Sequence, residues 1–303
     1  MDTARRPRIG VALGGGSARG WAHIGVLMAL EEAGIRPDVI AGTSIGALVG
    51  AVHAGGQLAA FEEWVRTLTR RDVMSLMDFQ FGSGMLKGVR LMDFLRNRFS
   101  NADIEELAIP FGATATALET GAEVWLRSGS TIDAVRASIA LPALFTPVHH
   151  EGRLLVDGGL VNPVPVSLAR AMEAEIVIAV DLASGLVGRN LRPSEVQPVE
   201  QGGHEWLRRL QASVGSLLPS SAPAAPALPS LLAVMSASID IMQVRITRSR
   251  MAGDPPEVLL RPQVADIGLL DFHRAAEAIE AGRRAVEVDL PSLLLHCAAA
   301  MAR

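Results

Sequence analysis

The sequence contains no tyrosine, and Lys87 is its only lysine among 303 residues. Chemistry that needs a phenolic acid or a phosphate-binding lysine therefore has almost nothing to work with, and arginine carries nearly all the positive charge. Cysteine is as scarce. Cys297 alone cannot form an internal disulfide or a Cys-based zinc site, which fits a reducing compartment, and it reads as a small buried hydrophobe. No apolar run reaches the roughly 18 residues of a membrane span, and "MDTARRPRIG" carries charge without the apolar segment of a secretion signal. A cytoplasmic protein is expected. The net charge is −4 and no helical face gathers basic residues, so nucleic acid is not an expected partner.

What is present is apolar material in alternating patterns, at a hydrophobic fraction of 49% that can supply a substantial core. "RIGVALG" (8–14) reads as a strand, followed after the glycines by a helix through Glu32, and "DVIAG" (38–42) as a second strand. That succession predicts a βαβ unit. Helical patterns follow over 45–54, 58–68 and 89–99. "PFGATATALETGAEVWLRSG" (110–129) reads as an antiparallel pair at the sheet edge, turning at Thr120-Gly121. A helix over 132–140, strands over 153–159 and 175–182 with a helix from Pro163 to Met172 between them, and a final helix, strand and helix over 231–247, 257–262 and 270–288 complete the pattern. The expected fold is α/β, a mostly parallel central sheet with helices on both faces, forming one domain over 1–303. The alternation breaks between 184 and 229 into Gly, Pro, Ser and Ala, a surface insertion. Inside it, 205–218 puts Trp206, Leu210, Val214 and Leu217 on one helical face, for packing on the parent domain, a lid or peripheral membrane contact.

Gly42-Thr43-Ser44-Ile45-Gly46 has the G-x-S-x-G pattern between a strand and a helix, where a serine hydroxyl projects from a sharp turn and acts as nucleophile. Ser44 is the candidate, the alternative being a helix-capping serine. His273 and His296 lie late enough to complete a Ser-acid-His order, though a helix face or end accounts for each. Asp157, in "LLVDGGLVNPVP", ends an apolar strand and is the better partner: a buried carboxylate within reach of Ser44 could take its proton without an imidazole. An acid that merely caps the next turn is its alternative.

Gly14, Gly15 and Gly16 open a helix at the end of the first strand, and their N–H groups suit the negative charge of an attacked ester carbonyl. A phosphate cradle of the G-x-x-x-x-G-K type is excluded because Trp21 follows Gly20. A nicotinamide site fits poorly too, because the spacing Gly14, Gly16, Gly20 is loose and no tyrosine is available as acid.

"GGGSARG", "GTSIG" and "DGG", in this order, resemble the patatin-like phospholipase family, particularly bacterial members related to the neuropathy target esterase catalytic domain. "RGWAHIGVL", "AVRASIALPALFTP" and "NPVP" extend the likeness over about 8–182, and more weakly to 288. The resemblance implies a three-layer α/β/α hydrolase of lipid acyl esters, working through an acyl-enzyme without a cofactor or metal. Ser44 would be nucleophile, Asp157 base, Gly14 to Gly16 the oxyanion hole and Arg19 a support for that loop. Ser17 departs from relatives that often carry glycine there, and a positive φ would strain it. His149 and His150 are either surface polarity or head-group contacts. A lipid-binding or regulatory module, or an acyltransferase, are the other readings.

Overall fold

In the computed structural model the described residues are 6–76, 88–98, 102–142, 144–186 and 231–301. The amphipathic stretch 205–218 lies outside them. Strands β1 (Ile9–Leu13), β2 (Val39–Thr43), β3 (Phe111–Ala117), β4 (Glu123–Leu126), β5 (Val148–His150), β6 (Arg153–Asp157), β7 (Ile176–Val180) and β8 (Val258–Leu260) form one sheet ordered β5-β6-β3-β2-β1-β7-β8, with β4 also on β3. The run β3-β2-β1-β7-β8 is parallel; β4, β5 and β6 are antiparallel additions.

Side chains alternate across β1. Ile9, Val11 and Leu13 enter the larger core beneath helices α1 (Ala22–Glu32) and α2 (Ile45–Ala54), while Ala12 faces the smaller core under α7 (Val166–Ala171). Between these lie α3 (Leu58–Thr67), α4 (Arg70–Leu76), α5 (Val89–Arg98) and α6 (Thr131–Ser138). Two long helices end the chain: α8 (Leu231–Gly253) and α9 (Ala275–Met301), the latter packed along α1. This is the expected three-layer arrangement. Among the described residues no helix is long and apolar enough to cross a membrane.

The structure corrects three expectations and adds one helix. Where the strand–helix–strand succession over 153–182 predicts parallel strands, the strand at 153–157 is antiparallel to β3 and closes a hairpin with β5 through Glu151 and Gly152 at φ 45° and 76°. Of the pair at 110–129, only β4 is an edge strand; β3 is interior. Helix α7 starts at Val166, not Pro163, whose carbonyl instead accepts the Gly15 N–H at 2.9 Å. Helix α4 was not anticipated, although Thr69 and Asp72 cap its start reciprocally: the Asp72 N–H donates to Thr69 Oγ1 at 3.2 Å and the Thr69 N–H to the Asp72 carboxylate at 2.9 Å.

The α1–α9 crossing depends on backbone contact. A methyl group on Gly282 would stand 2.0 Å from the Ala22 carbonyl oxygen, and one on Gly25 1.9 Å from that of Ile279. Gly282→Ala gains up to about 1 kcal/mol of helix propensity but forces the helices apart, and overpacking of this kind costs about 1–3 kcal/mol or more. The expected net result is lower stability in denaturant unfolding. Gly253→Ala, where a methyl meets nothing within 4 Å, is expected to stay within about 0.5 kcal/mol of the wild type.

Candidate active site

Strand β3 brings the two candidate groups together. Its Ala113–Thr116 stretch pairs with β4 along one edge, so β2 and β6 share the other: Thr43 stands opposite Thr114, and Asp157 opposite the next residue, Ala115. Because β6 runs antiparallel, its end meets the end of β2 head-on. At that junction Ser44 Oγ donates to Asp157 Oδ2 at 2.6 Å.

Ser44 sits at φ 56°, ψ −125°, a conformation side-chain-bearing residues rarely adopt. The turn closes tightly on both sides: a methyl on Gly42 would lie 2.5 Å from Ala47 Cα, and one on Gly46 2.2 Å from the Leu13 carbonyl oxygen. The flanking glycines of the motif thus leave room for strand and helix, as its spacing suggested. The Ser44 N–H donates to the buried Ser138 Oγ at 2.8 Å, and Thr43 Oγ1 donates to the Asn162 carbonyl at 2.8 Å. Neither Ser138 nor Asn162 was singled out in the sequence, although both lie in stretches that carry the family likeness.

Asp157 is 1% exposed. Its Oδ1 accepts the Gly159 N–H at 2.7 Å. Burial pushes its carboxyl up to about 6 from an ordinary 3.8, against the opposing pull of the hydrogen bonds from Ser44 and Gly159. Among the described residues no histidine joins the pair. His273 accepts a hydrogen bond from Arg70 Nε at 3.2 Å, His296 is exposed on α9, and His149 and His150 lie on β5; none of them lines the cavity at Ser44.

The glycine loop is more committed than the sequence implied. The Gly14 N–H extends the ladder to β7 by donating to the Val180 carbonyl at 3.1 Å, and Gly15 donates to Pro163. These two amides are therefore not free for a substrate oxygen, which corrects the expectation of three. The Gly16 and Ser17 amides have no hydrogen-bond partner among the described residues. Ser17 does take the strained conformation, at φ 52°, with its Oγ donating to the Leu269 carbonyl at 2.7 Å.

Arg19 is buried and tied to α8. Its guanidinium meets Asp240 at 3.1 and 3.4 Å, and its Nε donates to the Ile267 carbonyl at 3.0 Å. Its backbone N–H donates to the Gly16 carbonyl at 3.2 Å, which joins the residue to the loop. His23, overlooked in the sequence although it sits one helical turn past the loop, is fully buried and donates from Nε2 to the Gly14 carbonyl at 2.7 Å. Burial pushes its pKa down to about 4, so the ring is neutral at pH 7 and one nitrogen can carry that donated proton.

Ser44 and Asp157 open onto a cavity with about 1040 Å³ of empty space, its mouth included. Besides the polar pair, Ser17, Arg19, Asp240 and Gln243 line it; most of the remaining wall is apolar, with Leu48 of α2, Trp64 of α3, Leu76 of α4, Leu91 of α5, and Leu141 and Phe145 beyond α6. Such a site offers a hydroxyl and a basic carboxylate at the base of a compartment suited to a hydrocarbon chain.

Residues 11–170 match the family described as patatin-like phospholipase. An uncharacterized NTE family protein of Mycobacterium tuberculosis is 34% identical, over 91% of this chain and 89% of its own length. Lysophospholipase NTE1 of Coccidioides immitis is 31% identical over 90% of this chain, which spans 17% of that much longer protein. The solved structure of VipD from Legionella pneumophila is a looser likeness, with TM-score 0.42 at 13% identity over 97% of this chain and 68% of that one. More than half the chain thus fits one family pattern, and a relative matches it almost end to end: the protein belongs to the patatin-like phospholipase family.

Proposed function

We propose that the protein is a serine esterase that hydrolyses acyl ester bonds of phospholipids, lysophospholipids or related lipids through a Ser44–Asp157 pair. The observation that carries this reading is the 2.6 Å hydrogen bond from Ser44 Oγ to a buried carboxylate, with no imidazole beside it among the described residues. The apolar cavity supports a fatty acyl chain as the group held, and the lysophospholipase name of one relative agrees with that class.

In this mechanism Asp157 takes the Ser44 proton as Oγ bonds to the ester carbonyl carbon. Negative charge builds on the carbonyl oxygen and is met by the Gly16 and Ser17 N–H groups, while Gly14 and Gly15 hold the loop in place. The carbon–oxygen bond to the alcohol breaks, and Asp157 returns the proton to that leaving oxygen. Water then enters, loses a proton to the same carboxylate and attacks the acyl-enzyme. Fatty acid leaves and Ser44 regains its hydroxyl. A buried carboxylate is a stronger base than an exposed one, so desolvation gives Asp157 the basicity that histidine provides in other serine hydrolases.

Ser44→Ala is expected to lower release of p-nitrophenol from medium-chain esters, and of fatty acid from lysophospholipid micelles, by more than about 10⁴-fold. Unchanged turnover would contradict the reading. For the wild type, kcat/KM is expected to rise with pH through about 6 and then level off, because only ionised Asp157 accepts the proton.

The same shift acts on stability. A carboxyl whose folded pKa lies above its unfolded value favours folding below about 4, and that benefit is lost as pH rises through about 6. The loss amounts to at most about 3 kcal/mol for a shift of roughly two units. Asp157→Asn, which can still accept from the Gly159 N–H and can donate to Ser44 Oγ instead of accepting from it, is therefore expected to be inactive yet more resistant than the wild type to thermal unfolding at pH 8. The gap should close at pH 4.

A further inference from the structure

Helix α8 carries three polar side chains along one buried stripe: Asp240, Gln243 and Thr247, at 3%, 7% and 4% exposure. They follow the i, i+3, i+7 spacing of a single helix face. Asp240 is accounted for by Arg19. Gln243 is not: its side-chain amide has no hydrogen-bond partner among the described residues. The amide is not one of the fully enclosed, unpaired polar atoms of the interior; Gln243 lines the open cavity, where its polar end is accessible to a ligand.

Its position says which. The Gln243 amide nitrogen lies between the glycine loop and the Asp157 turn, 3.9 Å from where a methyl on Gly15 would stand and 2.6 Å from one on Gly159. The same Gly15 methyl would lie 3.5 Å from Ser44 Cβ, and Gln243 lines the cavity together with Ser44, Asp157, Gly16 and Ser17. Two of the three glycine amides that could have faced an oxyanion are spent on Val180 and Pro163. The site is short of donors where charge develops, and an unpaired amide with two N–H groups stands beside the gap.

We propose that Gln243 is a catalytic residue, a side-chain donor whose amide N–H bonds to the ester carbonyl oxygen as it becomes negative during attack by Ser44. The inference rests on the esterase reading above and adds a third donor to the Gly16 and Ser17 amides. Side-chain amides serve this purpose in other hydrolases, and removing one costs about 10²–10³ in kcat. The Arg19–Asp240 ion pair then has a second purpose. One turn before Gln243, it fixes α8 to the loop and sets the distance between the backbone donors and the side-chain donor.

The test compares wild type, Gln243→Met and Gln243→Glu with a soluble p-nitrophenyl ester. Both replacements fill nearly the same space, and thermal melts establish that each is folded. Gln243→Met is expected to lose about 100-fold in kcat with KM unchanged. Its affinity for a trifluoromethyl ketone, which forms a tetrahedral adduct on the serine, should weaken by a similar factor, while affinity for the free fatty acid stays the same. Gln243→Glu, which brings negative charge toward the developing oxyanion, should lose more. Wild-type kcat in Gln243→Met, or a kcat loss without a change in ketone affinity, would overturn the proposal. So would a wild-type burst of p-nitrophenol with only deacylation slowed, which would make Gln243 a water-positioning residue. A wild type that neither turns over ester nor binds the ketone removes the esterase reading, and this inference with it; active wild type with unaffected variants removes the inference alone.

Discussion

Everything at this site follows from two strands ending against each other on one edge of a third. Strand β2 arrives from one direction and β6 from the other, and β3 registers them so that Thr43 and Asp157 occupy adjacent positions. A hydroxyl and a carboxylate separated by 113 positions in sequence are thereby held at hydrogen-bond distance by backbone ladders rather than by side-chain flexibility. The strained backbone of Ser44 is tolerated because the surroundings determine it. The N–H is held by Ser138, the carbonyl starts α2, and both flanking glycines touch neighbouring backbone.

Burial does the electrostatic tuning. Enclosing Asp157 disfavours its ionised form, which costs stability at neutral pH and makes the carboxylate a better proton acceptor. The surrounding polar groups are otherwise arranged to stay fixed. His23 is kept neutral and bound to the Gly14 carbonyl, Arg19 is paired with Asp240, and Gly14 and Gly15 are bound to their own backbone neighbours. A loop held this firmly presents its two unpaired amides in one orientation, which is what preorganised charge stabilisation requires.

Much of this was legible in the sequence. The G-x-S-x-G turn, the aspartate before two glycines and the apolar strands gave the α/β class, and a strand-to-helix context located the elbow. What stayed hidden was set by tertiary contacts. The direction of the strand at 153–157 depends on which edge of β3 is vacant, and an apolar run reads the same in either direction. The donors of the glycine loop looked equivalent until Val180 and Pro163 claimed two of them. Gln243 belongs to no motif; its neighbours Asp240 and Thr247 form a polar stripe, but only the fold shows that the stripe faces inward. Thr69 and Asp72 did carry a readable capping pattern for α4, masked by the two arginines between them.

The central claim is that Ser44 is the attacking group, driven by Asp157, with an anion pocket at Gly16 and Ser17. A crystal structure of the protein after reaction with a fluorophosphonate tests it most directly. The account predicts phosphorus bonded to Ser44 Oγ, its non-ester oxygen within about 3 Å of the Gly16 and Ser17 nitrogens, as hydrogen bonding requires, and the alkyl chain along Leu48 and Trp64. Phosphorus on another residue, or an oxygen turned away from both amides, would contradict it.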